Sequence, residues 1–569
     1  MNADLPASSA DILAQWHPNF GYLPATFKEW PKDRPVRIAV LGDFGASAAQ
    51  GRLLTGEALA QAARPFAVEF DSVDVVLARL APRLHLPLGP HGSTVEIGFD
   101  ALEDFHPDAL FDRLEIFRVL ASLRQRLLSP ATFAAAAAEL MPGPAQAPAL
   151  VDTGPGASAL AQAGTAVSGW VLPSDARLGD FARLLGGPPL VAPAAASSID
   201  ALLRHVVAPH VQPATDPRRD ELVASVDASL ADLMRSVLHH PQFQALESLW
   251  RGLDFLLRRL ETSVDLTVHV LDIPVLSFAA DLVASDDLTG SGLYQLLVDQ
   301  PAEHADGGYT LVLGCYQFDS TPPHVELLGR IAGVAQHAGC VFISSIQAAS
   351  FAASPSSSNS LHPLTAHAWQ ALRGQSAADN VALAAPRFML RYPYGQRSDP
   401  IERFAFEEFN EQEGLRALLW GHPVWLLASL LAGPNAQGGD ALIDDLPFHY
   451  AVDRHGDQVA LPCTDEWVGS DAVTRLAQQG LIGVVGRRGL PQVQLSPLQT
   501  LGGQGLHGSP SGTRYHRGQV FSASANPRGA LSAALEAELD RLLAPRSVEA
   551  GPGPSRDPGL DALIAGTGT

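Results

Sequence analysis

Phe243–Leu257 reads FQALESLWRGLDFLL. Phe243, Leu246, Trp250, Leu253 and Leu257 recur at spacings of three and four, so a helix would carry them as one apolar stripe, widened by Leu249 and Leu256. Trp250 belongs to that stripe and is expected in the core. Glu247 and Arg251 stand four apart in the favourable order for an ion pair on a helix. They are expected as a solvated pair or, more sharply, as polar members of a domain or subunit joint. Directly upstream lies His239-His240-Pro241. Adjacent histidines point in different directions and do not chelate one metal as an i, i+4 pair would. They are expected to close the preceding helix at its carbonyl end, with metal binding or catalysis as the alternatives.

Outward from this stretch, Leu222–Leu238 and Phe243–Leu260 read as helices divided by Pro241. Leu266–Leu271, Tyr309–Gly314 and Cys340–Ser345 read as strands, with a helix at Val325–His337 between the last two. Strand–helix–strand order favours a parallel sheet. Nearer the start, Val36–Leu41 is an apolar strand ended by Gly42. Pro65–Phe70 alternates, with Phe66, Val68 and Phe70 on one face, and Ser93–Phe99 alternates as well. Leu110–Leu128 reads as one helix, with Leu110, Leu114, Phe117, Leu120, Leu123 and Leu127 at helical spacing and Pro107 near its start.

The expected fold class is therefore mixed α/β, with two α/β domains joined by a flexible linker and a disordered C-terminal tail. The expected divisions are an N-terminal extension (1–33), a first domain (34–142), an Ala/Gly/Pro-rich linker (143–196), a second domain (197–400), a further domain (401–510) and a tail (511–569). The linker offers one docked piece around Trp170 and Leu185, and the tail one short helix at Leu531–Leu543.

Composition bounds the function. The 569 residues are 46% apolar and carry a formal net charge of −22, which argues against nucleic acid or an anionic membrane as main partner. Lys28 and Lys32 are the only lysines, so nearly all cationic side chains are arginines, whose planar forks suit carboxylates at protein joints. Cys315, Cys340 and Cys463 lack metal or redox spacing. The first residues lack the charged and apolar regions of a secretory leader. The most apolar run, Leu418–Ala432, is short for a membrane span and contains His422 and Pro423. A cytoplasmic protein is expected.

Catalytic motifs fare poorly. A P-loop needs a lysine after its glycines, and none follows Lys32. HExxH and GxSxG do not occur. Gly503–Gly508 matches GxGxxG but precedes SPSGTRYHRG, which does not start a helix, so it reads as a loop. In LGDFG (Leu41–Gly45), Asp43 could be a nucleophile or metal ligand at a strand end, or could satisfy loose backbone donors of a turn. No cofactor, metal or catalytic residue is expected. The enzymatic alternative would use Asp43, His239, His240 and His449.

FQALESLWRGLDFLL resembles the signature helix of the large subunit of type VI secretion contractile sheaths, the TssC or VipB family, matching at Phe243, Gln244, Leu246, Glu247, Trp250, Arg251, Gly252 and Leu253. Trp369–Gly395 is similar to a second block of that family through Pro386, Arg387, Phe388, Arg391, Pro393, Tyr394 and Gly395. Ile401–Glu408, Leu418–Ala428 with Trp420, and Leu446–Trp467 follow further blocks. Arg34–Gly45, Phe70–Leu86 and Val95–Arg124 resemble the small sheath subunit, TssB or VipA. The resemblance implies a fused small–large sheath protein, with 401–510 shortened relative to the family. It implies a structural role without hydrolysis. Partners would be other sheath protomers, an inner tube protein, baseplate components and a AAA+ disassembly ATPase, in the cytoplasm of a Gram-negative bacterium, with no nucleic acid and no membrane insertion. It also leaves room for a sheath-like accessory that docks without polymerising. Asp43, Phe243, Glu247, Trp250, Arg251, Arg387, Arg391, Tyr394 and Trp420 are the candidate structural and interface residues.

Overall fold

VRIAVLG, Val36–Gly42, forms strand β1, and its Ile38, Ala39, Val40 and Leu41 have no exposed surface at all. Successive side chains of a strand point to opposite faces, so both faces of β1 must be covered, as in a central strand of an α/β sheet. The computed structural model of the chain describes residues 17–25, 34–88, 94–140, 219–303, 307–354, 361–410, 413–433, 441–452, 458–487 and 489–506. The expected linker with Trp170 and Leu185, the tail with its short helix, and the end of the GxGxxG match fall outside these residues.

The strands, in chain order, are β1, β2 (Phe66–Val68), β3 (Arg83–Pro87), β4 (Thr94–Gly98), β5 (Leu266–Asp272), β6 (Leu311–Phe318), β7 (Val341–Ile346), β8 (Val381–Ala385), β9 (Phe388–Met389), β10 (Trp420–Gly421), β11 (Leu442–Ile443), β12 (Tyr450–Val452), β13 (Gln458–Ala460), β14 (Leu481–Gly486) and β15 (Val493–Leu495). One nine-stranded sheet has the order β11-β15-β14-β8-β7-β6-β1-β5-β2. The run from β14 to β5 is parallel, while β2 and the pair β15–β11 are antiparallel at the two edges. β1 pairs with β5 from Val36↔Leu266 to Gly42↔Asp272, and with β6 from Ile38↔Leu311 to Leu41↔Gly314. Strands from before residue 143 and from after residue 196 thus share one sheet.

Among the described residues, the helices of seven or more residues are α1 (Gly56–Ala62), α2 (Val73–Leu80), α3 (Pro107–Arg113), α4 (Glu115–Leu128), α5 (Phe133–Leu140), α6 (Arg219–Leu238), α7 (Pro241–Arg259), α8 (Val275–Val283), α9 (Pro322–Ala338), α10 (Pro363–Arg373), α11 (Val424–Ala432) and α12 (Ser470–Gln478). Ala39 and Leu41 of β1 belong to a core with Phe278 of α8, Leu328 and Ile331 of α9, Trp369 of α10 and Leu476 of α12. Ile38 and Val40 point the other way. α11 packs on β6, β7 and α7. The indole N–H of Trp250 donates to the carbonyl of Phe44, just past β1, at 3.2 Å, and the two rings meet edge to face with centroids 5.1 Å apart. Gly252 lets α7 and α11 approach closely: a Cβ there would sit 2.1 Å from Nε1 of Trp425.

Contacts divide the chain into two units. The larger comprises 1–84, 96–110 and 238–569 and holds the nine-stranded sheet; the smaller comprises 85–95 and 111–237. Within the smaller unit, Arg124 of α4 forks onto Asp227 of α6, with Nε–Oδ1 at 2.5 Å and Nη2–Oδ2 at 3.1 Å.

Two expectations are corrected. Leu110–Leu128 is not one helix, because Leu114 is extended (φ −84°, ψ 122°) between α3 and α4. At about 100° per residue, Leu110 and Leu123 would lie on different sides of one straight helix, and the break re-aims the stripe. Phe70 does not continue the β2 face; it starts a short 3-10 turn, is 45% exposed, and lies under the guanidinium of Arg258 at 4.8 Å.

Trp250→Ala is expected to lower unfolding free energy by about 3–5 kcal/mol in a denaturant titration. A loss under about 1 kcal/mol, typical of a surface change, would remove Trp250 from the core. Gly252→Val, which drives a side chain into Trp425, should cost about 1–3 kcal/mol or more by overpacking.

Candidate functional site

Pro241 at the first position of α7 starts the helix, and His240 is its N-cap: the Gln242 N–H donates to His240 Nδ1 at 3.3 Å. His240 therefore serves the following helix rather than the preceding one, because Pro241 sets the helical φ immediately after it. His239 turns instead towards the segment 408–413. Its Nδ1 contacts Glu413 Oε2, and its Nε2 lies 3.7 Å from Glu408 Oε1, an electrostatic contact beyond hydrogen-bond reach.

The stripe of α7 is buried, with Phe243, Trp250 and Leu253 at 0% exposure, and Glu247 beside it is equally inaccessible. The Glu247–Arg251 pair forms, with Arg251 Nε donating to Glu247 Oε1 at 2.7 Å; Glu247 is inaccessible and Arg251 is partly exposed. Arg391 lies across from it. Its Nε donates to Glu247 Oε1 at 2.8 Å, and its Nη1 and Nη2 donate to Glu408 Oε2 and Oε1 at 2.7 and 2.9 Å. One buried guanidinium thus bridges two buried carboxylates from distant parts of the chain, with the second carboxylate held in a bidentate fork.

Tyr394 completes the arrangement. Its ring lies 4.2 Å from the Arg391 guanidinium carbon, its hydroxyl accepts from Arg251 Nη2 at 3.0 Å, and its backbone N–H donates to Glu408 Oε2 at 2.7 Å. The Glu408 N–H returns a bond to the Tyr394 carbonyl at 2.8 Å, and His106 meets the Tyr394 ring edge to face at 5.0 Å. Burial alone would raise the Glu408 carboxyl, but Arg391 and His239 outweigh it and hold the group at about 2. Burial pulls His239 down, yet Glu408 and Glu413 together leave it raised. His239, Arg251 and Arg391 thus face the carboxyl groups of Glu247, Glu408 and Glu413.

The other expected residues sit nearby in the same unit. Arg387 and Asp465 close a reciprocal pair: the Arg387 N–H and Nε donate to Asp465 at 2.9 and 2.7 Å, and the Asp465 N–H donates back to the Arg387 carbonyl at 3.1 Å. Trp420 donates from its indole to the Leu415 carbonyl at 2.9 Å and accepts from Ser248 of α7 at 2.7 Å through its own carbonyl. Asp43 accepts from the Ser47 N–H at 2.7 Å, the Ser47 hydroxyl at 3.1 Å and the Ala48 N–H at 3.2 Å, so it closes the turn after β1.

An open cleft of about 930 Å³ lies beside these groups, lined by Asp43, Gln244, Ser248, Tyr316, Arg387 and His422 among others. Its place at the carboxyl ends of parallel strands is where α/β folds take ligands. Of its lining groups, Asp43, Arg387 and His422 are engaged in structural bonds. Burial pushes Asp272 up to about 6, and its Oδ1 accepts the Gly45 N–H at 2.9 Å. Burial pushes His422 down to about 4, and its neutral ring, 2.7 Å from the Tyr316 carbonyl, holds its proton on that bond. His449, 4.6 Å from Phe409 by ring centroids, is lowered by burial too.

Glu408, Glu413 and Asp465 were not singled out from sequence. Glu408 ends the Ile401–Glu408 block, so a position was visible there but not a partner.

Residues 220–501 match the family VipB, described as EvpB/VC_A0108, tail sheath N-terminal domain. Among curated proteins, the type VI secretion system sheath protein TssC1 of Pseudomonas aeruginosa is 30% identical over 220 residues, covering 37% of this chain and 44% of that protein. The chain thus spans less than half the length of this relative.

Arg391→Leu should cost about 3–5 kcal/mol in a urea titration, because Glu247 and Glu408 stay buried without their cation. Arg391→Lys should recover only part, since an ammonium cannot bridge both carboxylates as a fork does. A stability–pH profile tests His239. A cation whose folded pKa is raised contributes fully below its unfolded value, about 6.5, and loses that contribution as pH rises through the folded value. Wild-type stability should therefore fall above about pH 6.5 relative to His239→Gln; parallel profiles would contradict this. The Glu408 contribution runs oppositely, present above about pH 4.5 and lost as pH falls towards 2.

The network residues Glu247, Arg251, Arg391, Tyr394 and Glu408 all lie inside the matched span, and residues 220–501 are similar to the large-subunit sheath domain of the VipB/TssC kind.

Proposed function

We propose that the chain is a structural component of a type VI secretion contractile sheath in which a small-subunit-like part and a large-subunit-like part are fused. The observation that carries this is the match over 220–501 to a tail sheath domain. Supporting it, Glu247, Arg251, Arg391 and Glu408 inside that span hold one chain segment against another. The fusion is supported by β1, which comes from the N-terminal stretch and pairs on both sides with strands of the sheath-like part. Such a strand has nothing to cover its apolar faces without β5, β6 and their helices.

In this reading the chain assembles with other sheath protomers around an inner tube, meets baseplate components, and is dismantled by a AAA+ ATPase. It works in the cytoplasm of a Gram-negative bacterium, without nucleic acid or membrane insertion. It is not an enzyme. Mechanical work comes from exchanging one set of packed interfaces for another, a change between two packed states rather than bond-making chemistry. Among the described residues no helix is long and apolar enough to cross a membrane.

A second reading is a sheath-like accessory that docks on sheath, baseplate or cap without polymerising. The third, a metal-dependent enzyme using Asp43, His239, His240 and His449, is weakened by the structural bonds that occupy Asp43, His239 and His240.

Negative-stain microscopy of the purified chain, alone and coexpressed with a neighbouring sheath subunit, separates the first two. Rings or cogwheel tubes are expected. Discrete particles under both conditions would sink the sheath reading in favour of the accessory.

A further inference from the structure

The segment Asn19–Pro24, NFGYLP, lies along α9 and is read by one side of it. The Asn19 N–H donates to Glu326 Oε1 at 3.1 Å, and Arg330 Nε donates to the Asn19 carbonyl at 3.1 Å. Phe20 fills the place where Gly329 lacks a side chain, since a Cβ there would lie 2.0 Å from its ring. Leu23 lies over Gly333, 3.2 Å from the corresponding point, and His337 bonds the Pro24 backbone. Glu326, Gly329, Arg330, Gly333 and His337 fall at helical spacing on one face.

The far side of the segment is held by the loop after α8. The Tyr22 N–H donates to the Asp286 carbonyl at 2.8 Å, the Leu288 N–H donates to the Tyr22 carbonyl at 3.3 Å, and Asn19 Nδ2 donates to Asp286 Oδ1 at 2.8 Å. Gly21 (φ 69°) makes the bend that brings both sides into reach.

Arg330 is built into this site rather than recruited from the surface. It is 5% exposed, and besides Asn19 it donates to the carbonyls of Leu282 and Ser285 at 3.0 and 2.9 Å and to Asp286 Oδ1 at 2.9 Å. Its geometry is therefore set by the loop, with Nε left for an incoming carbonyl.

We propose that this face of α9, with the loop after α8, is a docking site for a short linear peptide bent at a glycine and bearing an aromatic and a leucine three residues apart, and that Asn19–Pro24 of this chain is its occupant. Main-chain groups supply the hydrogen bonds, while Phe20 and Leu23 supply the fit, as in grooves that take linear peptides. The contacts reach residues hundreds of positions away, so the segment binds as a ligand would, and the site can take the same peptide in trans once its own copy is released.

The test uses the full chain carrying Phe20→Asp and Leu23→Asp, with a fluorescent synthetic peptide of residues 17–25, read by anisotropy. Saturable binding to this variant is expected, with at least tenfold weaker apparent binding to the wild type, whose own segment competes. A peptide carrying the Phe20→Asp change should also bind at least tenfold more weakly. If the double aspartate variant is unfolded by circular dichroism, Phe20→Ala with Leu23→Ala replaces it. A folded variant that does not bind the peptide, or that binds the altered peptide equally well, overturns the docking site.

Discussion

Arg391 cannot be buried alone. Moving a guanidinium out of water is costly unless its donors meet acceptors and its charge meets charge. Glu247 comes from α7, and Glu408 and Tyr394 from a segment that would otherwise have no reason to lie there. The four must therefore arrive together. Replacing them by apolar groups of the same volume could hold the same segments as firmly, so what the charges add is selectivity for one arrangement over others. That suits a part whose task is to be held in a defined packing.

The apolar half of the structure converges on the same helix. α7 reaches the end of β1 through Trp250 and Phe44, and meets α11 through Gly252 and Trp425. β1 in turn lies between β5 and β6 and is covered on both faces. One helix thus serves both a packed aromatic seam and the ionic cluster, and the two are adjacent because Glu247 precedes Trp250 by about one turn.

Much of this was readable from residue spacing. The stripe on α7 announced its own burial, and VRIAVLG, LTVHVL and CVFISS announced strands, because apolar periodicity is a local property. What spacing does not carry is partnership. Glu247 and Arg251 looked like a surface pair because, on a helix considered alone, that is what i, i+4 charges are. The burial of Glu247 depends on Arg391, more than a hundred residues away, which Glu408 neutralises in turn. The parallel sheet was legible from strand–helix–strand order, whereas the insertion of β1 between β5 and β6 was not, since several orders satisfy the same alternation. The break at Leu114 was missed because each step of its leucine spacing is helical while the accumulated angle is not. Asn19–Pro24 gave no periodic signal at all; its meaning lies in two glycines on α9.

The seating of Trp425 over Gly252 also has a mechanical meaning. A notch that admits an indole at one position admits it at no other along α7, because one turn away, about 5.4 Å, stand Ser248 and Leu256 rather than a glycine. The seating therefore fixes the register of α11 against α7, because a shift of one turn either way would set the indole against a side chain where it now finds a gap.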